Sequence, residues 1–386
     1  MALRSTRAVF MRGGTSKALV FRAEDLPADR AERDLIFLAA IGSPDPNGRQ
    51  LDGMGGGISS LSKVCVVGPP SRGDADVDYT FAQIAIDRAE VDYAGNCGNM
   101  SSAIGPFALD EGLVPAPAEG DATVRIHNTN TGKIIVARFP VEDGRPASWG
   151  DLAIDGVAGT AAPIRLDFAD PGGAKTGRLL PTGDPADTLD VPALGRVRVS
   201  LIDAANPSVL VAAAVLGMAG TEAPAAIERD RGLMDRLEGL RRAAAVLMGL
   251  APDLEAAARV ASIPKVGILS APADTVLLSG ATLAADEVDI VARMISVGQP
   301  HRAVPLTGAL CLAVACRVPG SVAHELARRG DPAAPVRIGH PSGSILVAAE
   351  VVPGDDGPRV PFATVFRTAR RLFRGEVFYA PPPTMP

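Results

Sequence analysis

Short apolar runs separated by glycine and proline dominate the chain. Residues 8–10, 18–21, 64–67, 123–126, 134–139, 197–202, 209–213 and 266–269 are such runs, and each predicts a strand. Helical periodicity is sparser. Residues 29–41 put Leu35, Leu38 and Ile41 on one face and Asp34 off it, the pattern of an amphipathic helix. Residues 222–250, rich in Ala, Leu, Arg and Glu, predict two helices. Residues 284–297 and 362–375 are also read as helices, with Gly375 as a C-cap.

Two other stretches, 99–113 and 306–318, carry small and apolar residues on nearly every side. A helix without a polar face belongs inside a core. Pro106 implies a kink in the first of them. One lies in each half of the chain, and residues 180–190, with Pro181, Gly183, Asp184 and Pro185, read as the linker. The expected organisation is therefore α+β. It has an N-terminal domain over 1–185, built on a helix after Cys97, and a C-terminal domain over 186–386, built on a helix from about Leu306. Such a pair argues for an internal duplication too diverged to show as a plain repeat.

Composition narrows the function classes. The 386 residues are enough for two domains, and 47% hydrophobic residues supply their cores. With aromatics at 4% there is little to stack on single-stranded bases, and a net charge of −6 with scattered Lys and Arg shows no nucleic-acid footprint. The first ten residues lack an apolar signal core, and the longest apolar stretch, 209–219, is too short to cross a bilayer. Four cysteines without a paired framework fit a reducing cytoplasm. The separated His127, His301, His324 and His340, with no C-x-x-C, predict no metal site.

The candidate chemistry lies in glycine-bearing turns. Gly95-Asn96-Cys97-Gly98-Asn99-Met100-Ser101-Ser102 puts a thiol where a buried helix begins. Free N–H groups and the helix dipole at such a place favour a thiolate. Most free cysteines are inert packing residues, but the flanking glycines and asparagines suit a turn. Cys65, Cys311 and Cys316 lie in apolar runs and are read as structural. A second loop, residues 52–62, is glycine-dense and ends at Lys63, which opens an apolar strand. It matches neither a P-loop nor G-x-G-x-x-G. An exposed lysine is a solvated charge; burial at a strand start would lower its pKa toward that of a useful base. Met11-Arg12-Gly13-Gly14-Thr15-Ser16-Lys17 is a third such loop, either a plain turn or a carboxylate site. Polar groups also gather at 127–131, 203–208 and 339–344, where ordinary turns and anion recognition are both open readings. G-x-S-x-G is absent.

Taken together, the segments 10–17, 55–63, 95–102, 203–207, 301–311 and 340–343 resemble the PrpF family of the diaminopimelate epimerase-like superfamily. The Met-Arg-Gly-Gly-Thr-Ser and Gly-Asn-Cys-Gly-Asn-Met-Ser segments are the specific ones. The resemblance implies two similar domains, each a β-barrel-like sheet around a central helix, with the active site in the cleft between them. Racemases of the superfamily carry a cysteine at the start of each central helix. The first falls on Cys97, whereas the second falls on Pro305, ahead of Leu306-Thr307-Gly308-Ala309, which argues against two-thiol racemisation. The family's catalytic lysine falls on Lys63.

The implied activity is a cofactor-independent 1,3-allylic proton shift or cis-trans isomerisation on a small unsaturated di- or tricarboxylate, such as 4-oxalomesaconate or 2-methylaconitate. The look of 301–311 favours an oxalomesaconate-type tautomerase. Rivals are a racemase of an amino or hydroxy acid and a non-catalytic anion binder on the same scaffold. Lys63 and Cys97 are the expected catalytic pair. Expected to hold substrate are Arg12, Gly13, Thr15, Ser16, Gly56, Ser60, Asn96, Gly98, Asn99, Met100, Ser101 and Asn130 in the first half. In the second half they are Asn206, Arg302, Thr307, Gly308, Ser342 and Gly343. No cofactor, metal, nucleic acid or membrane is expected; a homodimer is compatible with this reading.

Overall fold

The computed structural model describes residues 3–192, 194–331, 334–354 and 357–379. The chain divides into two compact units, one of Met1–Ala153, Gly159–Leu166 and Phe366–Pro386, the other of Ile154–Ala158 and Asp167–Val365.

Unit 1 is a curved sheet around one helix. Strands β1 (Arg4–Gly13) and β2 (Ser16–Arg22) form a hairpin, and helix α1 (Arg30–Ile41) carries the chain to β3 (Lys63–Gly68), parallel to β2. Antiparallel β4 (Val77–Ile84) and β5 (Val91–Asp92) follow, then helix α2 (Gly98–Asp110). Strand β6 (Gly120–Asn128) pairs parallel to β4, and β7 (Lys133–Glu142) returns antiparallel to it. The last strand, Ala369–Tyr379, pairs with β1 from end to end. Helix α2 packs against β1, β2, β3, β6, β7 and the last strand, so every residue from Gly98 to Leu109 is buried.

The outer face of the same sheet is covered too. Ile36, Phe37, Ala40 and Ile41 of α1 pack on Leu19, Phe21, Val64, Val66 and Ala82. The Phe21 and Phe37 rings stack at 5.6 Å. Strands β2 and β3 are thus sandwiched between α2 and α1, and they read as continuous apolar runs instead of alternating ones. Asp29 starts α1 by accepting the Glu32 N–H, and Gly42 ends it in the left-handed conformation.

Unit 2 repeats the plan. The hairpin is Gly195–Ala204 with Asn206–Ala212, and the parallel third strand is Lys265–Ser270. Ile290–Ser296 and Gln299–Pro300 follow antiparallel, and Val336–His340 pairs parallel to Ile290–Ser296 before Gly343–Ala349 returns. Three helices, α3 (Pro224–Arg229), α4 (Arg231–Leu247) and α5 (Leu254–Arg259), make the crossover that α1 makes in unit 1. Leu233, Leu237, Leu240 and Ala244 form the buried stripe of α4 against Val197, Val199, Leu201, Val209 and Val211. The wholly buried α6 (Leu306–Ala315) occupies the place of α2. Each of the eight apolar runs expected to be extended falls on a strand, the 209–213 run ending one residue past its own. The α+β class is borne out, and hairpin, parallel third strand and buried helix follow in the same order in both units.

Several expectations are corrected. Residues 284–297 form a 3-10 turn, Ala285–Glu287, and then the strand Ile290–Ser296. That strand is hydrogen-bonded on both edges and buried at every residue, so it lacks the alternation that separates a strand from a buried helix. Residues 362–375 form the strands Phe362–Arg367 and Ala369–Tyr379. Their Arg, Ala and Leu content favours helix locally, but pairing along β1 overrides it, and Gly375 sits opposite Ala8 as a strand residue rather than a C-cap. Part of the supposed linker is a strand, Asp187–Val191, paired with Gly195–Ala204. The chain also leaves unit 1 earlier than residue 185. The Gly173 N–H and the Leu179 carbonyl bind the main chain of Asp203, which ties this segment into unit 2. Among the described residues, no helix is long and apolar enough to cross a membrane.

Phe107, 1% exposed on α2, fills the centre of unit 1. Phe107→Ala should lower stability by about 3–5 kcal/mol, read as a shift in the urea midpoint at unchanged slope; a loss below about 1 kcal/mol would show that the sheet does not close on this helix.

Candidate active site

Lys63 is the first residue of β3, and the cross-strand register places it opposite Gln83 of β4. Its side chain is 6% exposed. The Nζ donates to Gln83 Oε1 at 2.5 Å and lies 4.9 Å from the centre of the Phe81 ring. Burial pushes the Lys63 amine below the ordinary lysine range, opposed by the nearby Cys97 and Cys65 thiols. This is a lysine whose surroundings favour the neutral amine, the form that can accept a proton.

Cys97 is the N-cap of α2. Its carbonyl accepts the Ser101 N–H at 3.1 Å, the Ser101 hydroxyl at 3.2 Å and the Tyr79 hydroxyl at 3.4 Å. Three donors on one carbonyl hold the start of the helix, and therefore the Cys97 Cα, in place. The N–H groups of Gly98, Asn99 and Met100 lie in the first turn, where no intrahelical acceptor exists. The remaining thiols are unsuited to chemistry. Cys65 points at Tyr79 and is driven up by burial. Cys311 and Cys316 are each pushed up to about 12.

One glycine-bearing loop of unit 1 lies on this helix start and the other is joined to it. The β1–β2 turn lies against it, and Asn99 donates to Thr15 Oγ1 at 3.1 Å. A Cβ at Gly14, where φ is +50°, would stand 2.3 Å from Asn99 Oδ1, so only glycine permits this approach. Arg12 clamps the turn through Nη1, which donates to the Gly14 carbonyl and to Thr368. The Lys17 N–H donates to the Ser60 carbonyl and joins the second loop to the first. That second loop is organised by Gln50, whose Oε1 accepts the Gly57 N–H and the Ser62 hydroxyl. Gly13, Gly14 and Thr15 thus lie against Asn99 at the start of α2, Lys63 and Cys97 are within electrostatic reach of each other, and Ser60 is tied to the first loop through Lys17, whereas Gly56 is packed against Leu61 and Asn96 accepts from Asn128. Asn130 is turned to other work. Its amide accepts from Phe81 N–H and donates to the Phe81 and Tyr93 carbonyls, and it lines a cavity of about 470 Å³ with Arg30, Arg33 and Thr80 on the face of β3–β4 that packs against α1.

In unit 2 the expected residues gather at the corresponding helix start. Asn206 donates to Thr307 Oγ1 at 3.4 Å, and Gly308 lies against Met294. Pro305 is the N-cap and offers no side-chain donor or thiol. Ser342 donates through its hydroxyl to the Arg302 carbonyl and through N–H to His340 Nδ1. Gly343 has a structural requirement of its own, since a Cβ there would lie 2.0 Å from Asp155, which accepts the Ser344 N–H. Asp203 accepts from the Lys175 and Thr176 main chain and serves as a loop anchor.

Three residues escaped the sequence reading. Gln83 and Tyr79 lie in a strand that was not recognised; a single amide inside the apolar run Phe81-Ala82-Gln83-Ile84 was the available signal. Lys265 occupies the place in unit 2 that Lys63 holds in unit 1, first in the third strand and buried, with Ser296 and the Ser262 carbonyl as acceptors. Among the described residues, no three His, Cys, Asp or Glu side chains group as a metal site.

A family model described as "PrpF protein" matches residues 3–380. The chain belongs to the PrpF family. The motif resemblance was therefore correct. This PrpF-family chain is 43% identical to 3-methylitaconate isomerase of Eubacterium barkeri, over 96% of each chain. It is 39% identical to 2-methyl-aconitate isomerase of Shewanella oneidensis, again over 96% of each. Against 4-oxalomesaconate tautomerase of Pseudomonas putida it is 40% identical, over 96% of this chain and 94% of that one. A crystal structure of methylitaconate-delta-isomerase superposes with a TM-score of 0.77 at 40% identity, covering 98% and 96% of the two chains. A hydroxyproline epimerase from Agrobacterium vitis shares the fold at a TM-score of 0.55 and 14% identity, covering 98% of this chain and 94% of that one.

Burial orders the four thiols. Cys97 is 9% exposed, Cys316 6%, and Cys65 and Cys311 0%. Alkylation of the native protein, mapped by mass spectrometry, should modify Cys97 first and the other three only on unfolding. Equal labelling of Cys65 would show that the β3–β4 face opens freely.

Proposed function

We propose that this protein is an isomerase that moves a proton between the two allylic carbons of a small unsaturated di- or tricarboxylate. The observation that carries this reading is a buried lysine amine, lowered in pKa, set beside a thiol that caps a buried helix. Removing a weakly acidic C–H next to an unsaturated acid needs a neutral base with a pKa near the working pH. Lys63 Nζ takes that proton, the double bond moves by one position, and negative charge spreads through the allylic system onto a carboxylate or keto oxygen. First-turn N–H groups of α2 are preorganised donors for such charge. The proton returns at the other allylic carbon from Lys63 or from Cys97. The exchange is redox-neutral and asks for no electron carrier.

Full-length relatives named as isomerases and a tautomerase of such acids support the reading. The racemase alternative would call for a thiol at the start of α6. Pro305 stands there, and Cys311 is buried with its Sγ directed at the Ile202 carbonyl. A cytoplasmic setting goes with the proposal, supported by four free cysteines.

Exchange in deuterated water, followed by NMR on 3-methylitaconate, 2-methylaconitate and 4-oxalomesaconate, tests both activity and substrate. Lys63→Met should slow exchange on the accepted acid by about 100-fold or more. Cys97→Ser should cost less. Near wild-type exchange in Lys63→Met overturns the assignment, and no exchange on any of the acids favours a binding role. Because Lys63 must be neutral to act, kcat/KM should rise with pH through an apparent pKa below the ordinary lysine value of about 10.4. A rise centred at or above that value would mean the amine is not desolvated when it works.

A further inference from the structure

We infer that Gln83 is the positioning residue of the reaction, holding the Lys63 amine in one orientation through a neutral acceptor. The inference rests on the reading of Lys63 as the base. Gln83 and Lys63 are direct cross-strand partners, and the Oε1–Nζ contact is 2.5 Å. The amide cannot turn over without loss, because its Nε2 donates to the Ser62 carbonyl at 2.9 Å and to the Ser59 carbonyl at 3.1 Å. Its oxygen is therefore fixed toward the lysine. Ser59 and Ser62 belong to the glycine-dense loop, so one buried side chain ties that loop to the reacting amine. With one N–H of the amine committed to Oε1, the lone pair is directed away from β4.

The chemistry of the acceptor matters as much as its place. A carboxylate at position 83 would hold the amine as an ammonium ion, useless as a base; an apolar residue would leave its N–H without an acceptor. The groups facing Lys63 are Cys65 on its own strand, Gln83 and the Phe81 ring on β4, and Cys97 at the start of α2. Among the described residues, no carboxylate is among the causes of its shift. Gln83 is the uncharged acceptor that this arrangement requires.

The test compares Gln83→Glu, Gln83→Leu and Lys63→Met by solvent-deuterium exchange on the accepted acid across pH. Gln83→Glu should move the acidic limb of kcat/KM up by about one pH unit or more, since a new anion favours the protonated amine. Gln83→Leu should move the limb down and lower kcat by about tenfold, while KM stays within about twofold. A limb unmoved in Gln83→Glu overturns the inference, and so does wild-type kcat in Gln83→Leu. If Gln83→Leu does not fold, the nearly isosteric Gln83→Glu decides alone through its pH profile. Exchange retained in Lys63→Met defeats the base assignment itself. Exchange lost there, with a limb unmoved in Gln83→Glu, defeats only the role of Gln83.

Discussion

A helix whose every side is small or apolar must be enclosed, and in unit 1 the enclosure of α2 organises the rest. The sheet wraps the helix, so all side chains from Gly98 to Leu109 are out of water. The unpaired N–H groups of its first turn then mark the helix start as a polar point in an otherwise apolar interior. What is near that point is set by sheet register: Lys63 opposite Gln83 on adjoining strands, Cys97 as the cap, and the β1–β2 turn pressed against the first turn. Burial acts twice, once to hold the fold and once to lower the basicity of the amine.

The paired units show how one scaffold can carry unequal chemistry. Both have a buried lysine at the start of the third strand and a buried helix after the fifth. They differ where it counts for proton transfer. The first helix is capped by Cys97, whereas the second is capped by Pro305, whose ring supplies neither an acid nor a base. Lys63 faces a glutamine whose amide is anchored on both sides, and Lys265 faces the shorter Ser296. At these two helix starts the asymmetry rests on a few side chains within a shared order of hairpin, third strand and buried helix.

Much of this was legible in the sequence, for reasons that can be named. Residues 99–113 and 306–318 announced themselves because a helix without a polar face has one physical destination. Cys97 and Lys63 stood out through the glycines that precede or follow them. Strands buried on both faces were harder. Ile290–Ser296 offers no alternation; the last strand, by contrast largely exposed, opens on the helix formers Ala369-Arg370-Arg371-Leu372, so long-range pairing with β1 decides its form. Gln83 was invisible for the same reason: its value comes from a partner twenty positions away across the β3–β4 register, not from its neighbours. Asn130 shows the converse, a polar turn residue whose amide is consumed by main-chain groups.

The pairing of β1 with the final strand also bears on how the molecule is made. Arg4 to Gly13 are made long before their partners, Ala369 to Tyr379. The sheet of unit 1 therefore cannot be completed before those later residues are made. The interrupting unit holds its own hairpin and central helix and can consolidate while synthesis continues. Until Ala369–Tyr379 is made, one edge of the first hairpin lacks its permanent neighbour and is open to pairing with other chains. Loss of Ala369–Tyr379 should therefore be felt at Arg4–Gly13, during biogenesis as much as in the finished enzyme.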